Sequence, residues 1–243
     1  MTGKTNGQDS VSELTKRRQA AIEAVAKWLK TSWEEISGTS NAWLLVEGKR
    51  VAVDTAILPG RGAGHNPAAR PHLRFDKVAN RLIARLRTAC NETVPNGTAV
   101  LLAVTAPIQQ PSKTIAALKD RIQNLVARES KTNDVQETIH GNGVRMRLLR
   151  NLPRHAPRLI GFVHNPESDP HLLFDLTGEL LEIIGSGVKA NESKNDRWLI
   201  AINPRAASFA DAYRTIYAQL GASSNYKRAF MVFADGGVEE LTL

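Results

Sequence analysis

The chain has 243 residues, 42% of them hydrophobic and 23% charged, with a formal net charge of +8. That length buries a proper core without cross-links, and the single cysteine, Cys90, has no partner for a disulfide, which points to a reducing compartment and a cytoplasmic location. No apolar run approaches the ~20 residues of a membrane-spanning helix and the start, MTGKTNGQDS, lacks the apolar segment of a secretory signal, so neither a membrane nor export is expected.

In chain order, residues 1–14 are polar and predict a disordered tail. A helix is expected over Thr15 to Trp33, where Ile22, Val25, Ala26 and Leu29 follow helical spacing. Residues 43–58, WLLVEGKRVAVDTAIL, read as a hairpin turning at Gly48, because a tight turn needs the positive φ that glycine supplies. The loop HNPAARPHLRFD, residues 65–76, follows and ends on Asp76, placed to cap the next helix with its carboxylate. That helical pattern carries Cys90 and leads to the apolar run AVLLAV, Ala99 to Val104, a buried strand closed by Pro107.

The same series then recurs. A helix is expected over Ser112 to Arg128, with Ser112 near the N-cap position, and a hairpin over residues 138–149, TIHGNGVRMRLL, turning at Gly143. The loop HNPESDPHLLFD, residues 164–175, matches the earlier loop at eight of twelve positions and places Asp175 where Asp76 stands. The run WLIAI, Trp198 to Ile202, and Pro204 repeat the buried strand, and a helix over Ser208 to Leu220 leads to a last hairpin, MVFADGGVEELTL, turning at Gly237. The pattern predicts a mixed α/β fold of the α+β type, built from duplicated, pseudo-symmetric units of helix, β-hairpin, helix and strand. Residues 15–105 form the first unit, 106–203 the second and 204–243 a partial third, packed as one globular body. Residues 98–203 spell strand, helix, two strands, helix, strand, the order of a ferredoxin-like arrangement.

The repeated loops hold four of the six histidines, His65 and His72 in one copy and His164 and His171 in the other. Pro67, Pro71, Pro166 and Pro170 stiffen the loops, and with aspartates as helix caps the motif has a purely architectural reading. Two imidazoles with Asp76 or Asp175 could instead make an open zinc or iron(II) site, although His-x6-His on a proline-broken loop fixes no geometry. The segments PHLRF and PHLLF resemble the duplicated Pro-His-hydrophobic-Thr motif of the two-histidine phosphoesterases. That resemblance would make His72 and His171 general acid and base on a phosphodiester, with Arg74 and Leu173 standing where the family's phosphate-holding hydroxyl belongs. Convergence of His72 and His171 on one cleft would favour chemistry.

Glu23 on the first helix and Asp54 on the next hairpin fall in the order of a PD-(D/E)xK nuclease, but the following strand ends in Val104, Thr105 and Ala106, without the carboxylate and lysine that a metal and its water need. Nucleotide loops, the hydrolase elbow and CxxC pairs are all absent from the sequence, so neither a cofactor nor a metal is expected.

The positive charge is uneven. Residues 1–163 hold 25 Lys and Arg against 13 Asp and Glu, a net +12, while the rest carry a net −4. Its densest run is RMRLLRNLPRHAPR, with Arg145, Arg147, Arg150, Arg154 and Arg158, supported by Lys16, Arg17 and Arg18. Arginine suits phosphate because its planar fork donates in pairs, and no aromatic interleaves this run to stack bases. The expected role is non-catalytic binding of a polyanion such as nucleic acid, or of a protein partner. The alternative is an enzyme built on the duplicated His and Asp residues.

Overall fold

A computed structural model describes residues 6–35, 42–60, 76–127, 134–152, 154, 156–164, 170–186, 197–220 and 226–242. The elements are α1 (Asn6–Trp28), β1 (Ser32–Glu35), β2 (Ala42–Val46), β3 (Lys49–Ile57), α2 (Lys77–Thr93), β4 (Ala99–Thr105), α3 (Pro111–Ala127), β5 (Asp134–Ile139), β6 (Asn142–Leu149), β7 (Leu159–His164), α4 (Pro170–Ser186), β8 (Trp198–Asn203), α5 (Ala210–Leu220), β9 (Arg228–Phe233) and β10 (Val238–Leu241). The fold is mixed α and β, as the sequence pattern implies. Among the described residues no helix is long and apolar enough to cross a membrane.

The chain divides into two compact units whose limits do not follow the sequence repeat. One comprises Met1–Gly60, Glu182–Arg214 and Ser224–Leu243; the other comprises Arg61–Leu181 and Thr215–Ser223.

The first unit carries a six-stranded sheet in the order β1-β2-β3-β8-β9-β10, in which β3, β8 and β9 run parallel and the flanking strands antiparallel. Alternation sends Leu44, Val53, Trp198, Ile200 and Phe230 to one face, where they meet Ala21, Ile22, Val25 and Ala26 of α1. The helix begins at Asn6 rather than after residue 14, because residues without an apolar face still extend a helix whose later turns are anchored. Glu13 accepts from Arg17 one turn on, 3.2 Å away. It also ends early, at Trp28, so Trp33 lies in β1 and not in the helix.

The second unit has a four-stranded sheet in the order β5-β6-β4-β7, antiparallel except for β4 with β7. Val100, Leu102 and Val104 of β4 and Val144, Met146 and Leu148 of β6 pack against Leu82, Ile83, Leu86 of α2 and Leu118, Ile122, Leu125 of α3. Strand β7 is an edge strand, yet all six of its residues are buried. Its free backbone groups find side chains instead: the Gly161 N–H donates to Gln219 Oε1 at 3.1 Å and Arg87 Nη2 donates to the same oxygen at 2.9 Å.

Residues 98–203 therefore do not close one ferredoxin-like sheet. The chain inserts β7 between the second hairpin and α4, where the sequence pattern assigns no strand, and β8 joins the other sheet. Both apolar runs are inner strands, but β4 lies antiparallel to β6 and parallel to β7, whereas β8 is parallel to both β3 and β9. The duplicated sequence does not carry over into strand pairing. Turn positions are also corrected in two hairpins. Gly48 turns the first with φ +75, but Gly141 and Gly236 turn the others, while Gly143 lies inside β6 and Gly237 follows the turn. Gly143 is needed for space: a Cβ there would stand 2.7 Å from Thr105 Oγ1.

Candidate functional site

The two aspartates of the HNP loops part ways in the fold. Asp76 is the N-cap of α2 and accepts from the N–H groups of Val78 at 3.0 Å and Ala79 at 2.8 Å. Asp175 is the sixth residue of α4, not its cap, because that helix starts at Pro170, whose fixed φ suits a first helical position. Ser112 and Ser208 are not caps either. Pro111 opens α3 ahead of Ser112, and Ser208 lies inside a 3-10 turn, Ala207–Phe209, whose Ala207 N–H donates to Asp235 Oδ2 at 2.9 Å. Bonds from the Ala207 and Gly237 amides hold the Asp235 carboxyl below its ordinary range.

His65 and His72 lie outside the described residues, as does the side chain of His171, the second residue of α4. His164 closes β7 and is 6% exposed; its Nε2 stands 3.2 Å from Thr105 Oγ1 at the end of the parallel neighbour β4. Among the described residues, no group of three or more His, Cys, Asp and Glu could hold a metal ion. Glu23 is exposed on α1. Asp54 in β3 is ion-paired with Arg197 and hydrogen-bonded by Tyr226, whose hydroxyl is pushed up by burial and by the Asp54 charge. The strand beside β3 is β8, not β4, and it sets Leu199 opposite Asp54.

The arginine run resolves into two kinds of residue. Arg145 and Arg147 alternate onto the face of β6 opposite the α2 and α3 core, where both guanidinium groups lie over the Phe174 ring, 5.7 and 5.4 Å from its centroid. Arg145, only 5% exposed, donates Nε and Nη2 to Asp134 at 3.0 and 2.7 Å. Arg147 donates to Asp134 at 3.0 Å and to Asp175 at 2.9 Å. Two cations thus meet two carboxylates. Burial alone would raise the Asp134 carboxyl, but the hydrogen bonds from Arg145 and Arg147 outweigh it and lower it, and the same carboxylates raise Arg147 against its own desolvation. Arg158 donates to Asn96 Oδ1 at 2.7 Å and Arg150 to the Val126 carbonyl at 3.4 Å, while Arg154 is exposed.

A second basic surface lies on the opposite side of the same sheet. Asp76 fixes where α2 starts, which places Lys77, Arg81 and Arg85 four residues apart along one stripe, all exposed. Lys113 and Lys119 are exposed on α3, and among the described residues none of these five cations has an ion pair or hydrogen bond. The two helices frame a cavity of about 420 Å3 lined by Arg85, Thr88, Ser112, Ile115 and Lys119. A smaller cavity of about 280 Å3 between α3 and β5 also holds a cation, Arg121, but Glu137 neutralises it at 3.4 Å. Within the run that charge density picked out, Arg145 and Arg147 on β6 are ion-paired; the stripe on α2, which the sequence reading missed, is marked by the four-residue spacing behind Asp76.

No family model matches the chain, and no curated protein or solved structure matches it either.

Proposed function

We propose that the protein binds a polyanion, with nucleic acid as the intended class, through the exposed faces of α2 and α3, and that this is a binding role without a chemical step. One observation carries the reading: five exposed cations on these helices lack acidic partners among the described residues, whereas Arg145 and Arg147 spend their charge on Asp134 and Asp175. Free cations release condensed counterions when they meet phosphates, and paired ones must first break an ion pair. The test is fluorescence anisotropy with labelled nucleic acid at several salt concentrations. Lys77→Ala, Arg81→Ala and Arg85→Ala together should flatten log affinity against log salt by about 0.7 to 0.9 per lost contact. Arg145→Ala should leave that slope as it is and act on stability instead. Absence of binding at low salt would end the reading.

A further inference from the structure

The cavity between α2 and α3 is more specific than a charged surface. Arg85 and Thr88 stand on one bank, Lys119 and Ser112 on the other, and Ile115 forms an apolar floor. Arginine offers a planar fork that matches a phosphate's oxygens in pairs, lysine adds a compact point charge, and the Ser112 hydroxyl can donate without adding charge, whereas the Thr88 hydroxyl already donates to the Ala84 carbonyl at 3.3 Å. Ser112 also belongs to the first turn of a 17-residue helix, so the positive end of the α3 dipole lies at the same cavity. The volume exceeds what a lone phosphate fills and suits a phosphate with part of its sugar, which Ile115 could meet.

We propose that this groove seats backbone phosphates of one strand of a nucleic-acid duplex, Arg85 and Lys119 gripping a phosphate between them while Arg81 and Lys77 follow the strand. The inference rests on the polyanion reading above and adds the kind of nucleic acid and the residues that hold it. Spacing supports it: successive cations along the α2 stripe rise about 6 Å, near twice the ~3.4 Å of duplex axis that each phosphate of one strand occupies. Absence of stacking groups supports it too. Neither α2 nor α3 contains a single Phe, Tyr or Trp. Single-stranded nucleic acid is held largely by bases stacked on aromatic rings, and a face that offers only cations and hydroxyls favours a duplex, whose bases already stack on one another. The same lack of base-reading groups makes the contact indifferent to sequence.

The experiment titrates the full chain against a short labelled DNA duplex, the corresponding single strand, and heparin, at low and moderate salt. Arg85→Ala with Lys119→Ala is compared with Arg154→Ala, an exposed cation of the same unit outside the groove. The substitutions sit at exposed helical positions where Ala favours the helix, and a thermal melt checks folding. The duplex should bind more tightly than the single strand. The groove variant should weaken duplex binding on the order of tenfold and flatten its salt dependence by about one phosphate contact, with Arg154→Ala close to wild type. Undiminished duplex binding by the groove variant would overturn the groove assignment while binding itself upholds the polyanion reading. Equal binding of single strand and duplex, or binding of heparin alone, would overturn the duplex and leave a general polyanion site. Failure of all three probes at low salt would remove both proposals.

Discussion

Asp134 concentrates the electrostatics of the second unit in one carboxylate, since Arg145 and Arg147 both lean on it and Arg147 hands a further bond to Asp175. Arg145 sits 5% exposed over Phe174, so Arg145→Ala removes packing and leaves Asp134 short of its main partner; a cost of about 2 to 4 kcal/mol in urea unfolding is expected. The folded Asp134 carboxyl lies below its unfolded value near 3.8, so its stabilisation is present above that value and is lost as pH falls through the lower, folded one. Asp134→Asn should remove that part of the acid dependence, seen as a flatter urea midpoint against pH below about 4. Asp76→Ala should cost roughly 0.5 to 2 kcal/mol, because two amides of α2 lose their acceptor. Asp175→Ala instead breaks an ion pair whose two side chains are each 24% exposed, and its loss should shrink in high salt where that of Asp76→Ala persists.

At the scale of elements, β7 and the β5–β6 hairpin are the most exacting. Gly161 lies under Ile83 so closely that a Cβ would stand 2.4 Å from its Cγ2, and Gly161→Ala should therefore destabilise by about 1 to 3 kcal/mol. Gln219 lends the same strand an acceptor that no neighbouring strand supplies. Gln219→Leu leaves the Gly161 N–H and Arg87 Nη2 without it and should cost about 1 to 3 kcal/mol, with faster amide exchange at Gly161 as the local signature. Across the sheet, Asn142 locks the hairpin to the loop before α3: its Nδ2 donates to the Ile139 carbonyl at 2.8 Å and to Gln109 O at 3.0 Å, and its Oδ1 accepts from the Gln109 N–H. A buried amide with every group engaged fixes the turn at His140 and Gly141, two residues ahead of the Gly143 that a simple pattern favours.

Across the whole molecule, the excess of cations in residues 1–163 becomes a matter of which ones are already paired. In the strip with the most arginines, Arg145 and Arg147 are held by carboxylates, and the quieter stripe of Lys77, Arg81 and Arg85 stays open among the described residues. A binding isotherm for any polyanion should therefore respond to α2 and α3 variants, and a stability curve to β6 variants, with little crossover between the two measurements.

The sequence by itself determined most of the elements, though not β1 or β7. Apolar runs such as AVLLAV and WLIAI are too uniformly hydrophobic to be anything but inner strands, the 3.6-residue spacing of Ile22, Val25, Ala26 and Leu29 marks a helix face, and Asp76 announces the helix it caps. Local chemistry suffices for these because each depends on neighbours within a turn or a strand. Which strands pair, and which charges stay free, depended on residues far apart in the chain. Nothing near β8 says that it will lie parallel to β3 across more than 140 residues, and nothing near Arg145 says that Asp134 and Phe174 will take up its charge. The HNP loops make the point most sharply: identical residues at Asp76 and Asp175 become a cap and an ion-pair partner, because the backbone around each is set by the sheet it enters and not by the motif it carries.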